Sequence, residues 1–134
     1  MKRLAVGIAC AVLLAWGVGA LAHEGEHDAA QPAKAKQGTL TGEVVDTGCY
    51  LGHAEKGAKH QQCAALCIQK GMPMGLLTST GDLYLLVPPH SNAEAYKKLK
   101  EMASQNVEVT GAIMERNGMK SIEVASARKA PAKS

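Results

Sequence analysis

The stretch Cys49-Tyr-Leu-Gly-His53 and the following His60-Gln-Gln-Cys63-Ala-Ala-Leu-Cys67 hold three cysteines and two histidines. Thiolate and imidazole donate to soft and borderline cations such as Cu(I) and Zn(II) far better than water does. Cys63 and Cys67 are four residues apart, so on a helix they share one face, and His60 lies three before Cys63 on that same face. Cys49 and His53 would come from a preceding loop to complete a Cys3His or Cys2His2 shell, with His60 ahead of His53 as the histidine. Met72 and Met74 follow in Gly71-Met-Pro-Met-Gly75. In extended backbone two methionines that alternate around a proline face one side, either as thioether ligands of copper or as core filling. Core filling is the expectation for one of the two.

The beginning of the chain reads as a targeting signal. Lys2 and Arg3 precede an apolar run from Leu4 to Leu21, and Ala20-Leu21-Ala22 fits the small-x-small cleavage rule, so a signal peptide over 1–22 is expected to be removed after Ala22. Cys10 and Trp16 leave with it. The expected location is periplasmic or secreted, with no stable membrane anchor after cleavage. His23 then becomes the terminal residue, and its amine and imidazole, with His27 nearby, form a weaker candidate site for Cu(II).

Export also places the remaining cysteines where disulfides form. Cys49, Cys63 and Cys67 are an odd number, so one thiol stays free, two chains pair, or all three serve a metal. This parity ranks a copper or zinc site above a plain staple. The alternative is a disulfide from Cys49 to Cys63 or Cys67, which would stabilise a binding or assembly module by roughly 3 kcal/mol in the chain-entropy view. A thiol-redox role is the third reading, although redox-active cysteines normally have two residues between them.

Several functions are excluded. Loss of Lys2 and Arg3 lowers the net charge from +3 to about +1. A mature chain with no Phe or Trp and with Tyr50, Tyr84 and Tyr96 has little with which to stack bases, so no nucleic-acid partner is expected. Haem attachment needs a histidine directly after the second cysteine, and Ile68 stands there. No phosphate loop, nucleotide motif, Ser-His-Asp order or HExxH helix is present. Glu43, Asp46, Glu55, Asp82 and Glu94 form no evident acid/base pair. An enzyme working through protein groups alone is therefore not expected, and the expected partner is an exported redox enzyme or another periplasmic protein. His90, after two prolines, reads as a surface loop residue.

The elements that must position these residues follow from hydrophobic periodicity. Residues 23–37 read as a disordered, histidine-containing leader and 128–134 as a basic tail. Between them, 38–127 form one domain. Leu40 to Thr47 alternates as a strand, and Gly48 and Gly52 mark a loop around Cys49. His60 to Lys70 reads as a helix stopped by Gly71. Leu76–Ser79 and Leu83–Val87 flank a turn at Thr80-Gly-Asp82. Ser91-Asn-Ala-Glu94 fits a capping box that opens a helix to about Ser104. Val107–Met114 and Met119–Ala125 flank Asn117-Gly118, a strong hairpin signal. The fold class is mainly β with two helices. Five strands, with a helix between the third and fourth, match a five-stranded OB-like barrel in which the Cys/His-bearing helix is inserted after strand 1. An open α+β sheet is the competing arrangement.

The pattern Gly42-Glu-Val-Val-Asp46-x-x-Cys49, Cys63-x-x-x-Cys67-x-x-x-Gly71, Gly75-Leu-Leu, Tyr84-Leu-Leu and Val107-Glu-Val-Thr-Gly111 resembles a group of small bacterial secreted proteins described as OB-like domains. The resemblance covers about residues 38–127 and implies a five-stranded barrel. It brings no established ligand or activity. The three-residue gap between Cys63 and Cys67 also resembles, in spacing alone, the paired-cysteine loop of copper-delivery proteins of the Sco type.

Overall fold

A computed structural model describes residues 35–131. The expected signal peptide, most of the leader with His23 and His27, and the last three residues lie outside the described residues. Among the described residues no helix is long and apolar enough to cross a membrane.

Five strands close into a barrel: β1 (Lys36–Asp46), β2 (Met74–Thr78), β3 (Leu83–Val87), β4 (Asn106–Arg116) and β5 (Met119–Lys129). Their order around the barrel is β1–β2–β3–β5–β4, and β1 closes it against β4. All pairings are antiparallel except β3 with β5. This is the expected OB-type barrel. The long β1 serves two partners. Its first part, from Lys36 to Glu43, pairs with β4, and its last part, from Gly42 to Asp46, pairs with β2. Val44, Leu76, Leu86, Val107, Val109, Ile122 and Val124 fill the core. The β4–β5 turn has Asn117 at φ 51° and Gly118 at φ 81°, the left-handed pair that a tight right-twisting hairpin requires.

Among the described residues three helices lie outside the sheet: α1 (Thr47–His53), α2 (Gln61–Gln69, after a 3-10 turn over Ala58–His60) and α3 (Glu94–Leu99, continuing as a 3-10 turn over Lys100–Met102). The inserted helix α2 sits between β1 and β2 in the chain, as expected, and adds Ala64 and Ile68 to the core. Leu99 of α3 joins the same core.

Three local expectations are corrected. The segment around Cys49 is a helix, not a loop, because Asp46 caps it: the Cys49 N–H donates to Asp46 Oδ1 at 2.8 Å. Ser91 does not cap the later helix. Asn92 Oδ1 takes the Glu94 N–H at 3.1 Å instead, and regular helix ends at Leu99. The strands at both ends of the domain run further than their apolar pattern, from Lys36 and to Lys129, because each has a full backbone partner in β4.

Gly111 sits at the register shift of the β4–β5 ladder, where an added Cβ would stand 1.8 Å from the Glu123 carbonyl oxygen. Backbone cannot swing aside as a side chain can. Gly111→Ala is expected to cost about 1–3 kcal/mol and at least about 4 °C in Tm. Gly52→Ala, in α1 with open space around it, should be neutral or slightly stabilising. Thermal unfolding followed by circular dichroism checks both, and equal Tm values would contradict the packing argument.

Candidate metal centre

Asp46 is the last residue of β1 and is fully buried. A buried carboxylate is costly unless hydrogen-bonded, and both its oxygens are used. Oδ1 accepts the Cys49 N–H, and Oδ2 lies 3.1 Å from His60 Nε2. The His60 side chain is 11% exposed, with Nδ1 3.9 Å from Glu55 Oε2. One carboxylate thus fixes the start of α1 and the turn that leads into α2. Two further ties complete the frame. The Thr47 N–H and hydroxyl both donate to the Pro73 carbonyl at 3.0 Å. The Met72 N–H donates to the Cys67 carbonyl at 2.9 Å.

Within this frame α1 and α2 bring three sulfurs together. The Sγ atoms of Cys49, Cys63 and Cys67 all lie within 4.8 Å of one another. Cys63 is exposed, the other two are partly covered, and all three are free thiols. The disulfide from Cys49 to Cys63 or Cys67 is not formed. A second group, Asp46, Cys49 and His60, meets the same 4.8 Å limit. Cys49 is shared by both.

The cysteines expected from the sequence therefore converge, while the histidines divide. His60 does not join all three sulfurs as its helical spacing suggested. It lies in the 3-10 turn before α2 and turns to Asp46. His53 is the exposed last residue of α1 and belongs to neither group. The methionines divide too. Met74 is wholly buried in the core. Met72 remains 38% exposed, and its thioether lies over Gly48, the residue before Cys49. His90 is exposed, as expected. The residue missed in the sequence is Asp46. Its signal was present: an aspartate three residues before Cys49 has the spacing from N-cap to third helical position.

The electrostatics oppose thiolates in the absence of a cation. The Cys49 thiol is pushed up to about 12, first by its hydrogen bond to the Asp46 carboxylate, then by lost solvation and the Asp46 charge, with the neighbouring sulfurs adding to it. Cys67 is also raised, first by lost solvation and then by Cys63. A bound cation inverts this balance, since coordinated thiols give up their protons.

Thiolate is the form that alkylates, so in metal-free, reduced protein at pH 8 the exposed Cys63 should react first and Cys49 last. Asp46→Asn removes the carboxylate charge and should speed labelling of Cys49 relative to Cys63. Peptide mass spectrometry of a timed iodoacetamide reaction checks both expectations, and Cys49 reacting first would contradict the electrostatic account. No protein-family model, curated protein or solved structure matches this chain.

Proposed function

We propose that this protein binds copper or zinc through the thiolates of Cys49, Cys63 and Cys67. Its role is metal handling, or support of an exported redox enzyme, in the periplasmic or secreted compartment that the first 22 residues suggest. The observation that carries this reading is the mutual approach of the three sulfurs within 4.8 Å. Sulfurs bound to one ion at about 2.3 Å stand about 4 Å apart. A disulfide needs about 2.05 Å. The spacing suits a shared ion with little movement of the chain.

Two features favour handling over a purely structural metal. Structural zinc sites are closed, whereas Cys63 is open to solvent. The barrel also has an apolar core drawn from all five strands and containing none of the three cysteines, so the strands do not depend on the ion. The Asp46–His60 pair matches the carboxylate–imidazole arrangement that commonly flanks metal sites and orients their ligands. Here it borders Cys49.

Protein purified without added metal or chelator should carry about one copper or zinc per chain by elemental analysis, a stoichiometry that a single three-sulfur shell implies. Intact mass after metal removal should show three alkylatable thiols. Cys63→Ser should lower metal content and affinity. Affinity should fall as pH falls, because protons compete for the raised Cys49 and Cys67 thiols. No metal, a mass two hydrogens light and a single reactive thiol would refute this reading and leave a disulfide-stapled barrel acting as a binding module.

A further inference from the structure

We infer that the site is built for monovalent copper rather than zinc, with the Met72 thioether as a further donor beside the three cysteine sulfurs. This rests on the metal-binding reading above and names its ion.

The donors around the cluster decide between the two metals. Zinc in protein sites takes four ligands, drawn from thiolate, imidazole and carboxylate. The nearby imidazole and carboxylate are turned to each other, through His60 Nε2 and Asp46 Oδ2 at 3.1 Å, and Asp46 also holds the Cys49 N–H. The only group of metal-binding side chains that contains both Cys63 and Cys67 among the described residues has Cys49 as its third member. Zinc there would hold three thiolates and still need a fourth ligand from outside the sulfur group. Soft monovalent copper is satisfied by sulfur alone.

The Met72 thioether lies against Gly48, the residue that precedes Cys49. The Met72 backbone N–H is bonded to the carbonyl of Cys67, and the next residue, Pro73, accepts two hydrogen bonds from Thr47 at the start of α1. Its side chain crosses Gly48, where an added Cβ would be 2.7 Å from Cε and 2.9 Å from Sδ. A glycine immediately before Cys49 thus makes the room that the thioether occupies. Met72 lies on the surface, unlike Met74 two residues on, which is buried completely.

The test uses the full mature chain, fully reduced and without oxygen, titrated separately with Cu(I) and Zn(II) against competing chelators. The variants are Met72→Leu and Gly48→Ala, the second leaving the methionine in place but displacing its thioether. X-ray absorption at the copper edge reads the ligand shell. We expect a sulfur-only shell for copper. Met72→Leu should lower Cu(I) affinity at least about tenfold, a loss that even indirect ligand contacts can carry, and leave Zn(II) affinity nearly unchanged. Gly48→Ala should reproduce this loss, with unaltered circular dichroism confirming the fold. A nitrogen in the copper shell, or Cu(I) affinity unmoved by both variants, overturns the inference while the metal-binding reading stands. If wild-type protein binds neither ion, both fall.

Discussion

The buried carboxylate of Asp46 is the constraint on which the cysteine-bearing region depends. It ends β1, caps α1 through the Cys49 N–H, and holds the His60 imidazole at the entry to α2. Without a charge acceptor at that point, the first turn of α1 loses its cap and His60 loses its anchor. Cys49 would then have no fixed position opposite the pair on α2. The same charge keeps the Cys49 thiol protonated. The group that places Cys49 beside the α2 pair therefore also disfavours the Cys49 thiolate.

The barrel supplies rigidity and takes little part in the chemistry. Its core draws on all five strands, and α2 adds only Ala64 and Ile68 to it. The flank of α2 next to that buried face is left to carry sulfur. Cys63 and Cys67 are one helical turn apart, so their spacing is set by the backbone itself and not by side-chain packing. Cys49 comes from a separate helix, and its placement depends on the cap at Asp46 and on the Thr47–Pro73 contacts.

The sequence made the strands legible because each is an alternating or apolar run bounded by turn residues, and Asn117-Gly118 announced its hairpin outright. It made the three cysteines legible by residue type. It did not reveal α1, because Gly48 and Gly52 read as loop markers when glycine is judged by propensity alone. In the structure Gly48 makes room for Met72, and the helix persists on the strength of its cap. Nor did it separate the roles of the histidines. Helical spacing set His60 beside Cys63 and Cys67, but it lies in the 3-10 turn before α2 and a partner elsewhere in the chain, Asp46, holds its ring. A buried carboxylate looks like any other aspartate in a sequence, since burial is a property of the assembled sheet.

The double use of β1 bears on the order in which the molecule can be put together. Its far end pairs across most of the domain, Lys36 with Ile113, while its near end pairs Asp46 with Met74 and encloses every cysteine of the cluster between those two residues. The entropic cost of closing a loop rises with its length, so the shorter enclosure is the easier to form. The β1–β2 ribbon thus encloses its inserted helices within a much shorter loop than the one that joins β1 to β4. The three thiols therefore need only this shorter closure, and not the pairing of β1 with β4, to fall within one stretch of ribbon and helix.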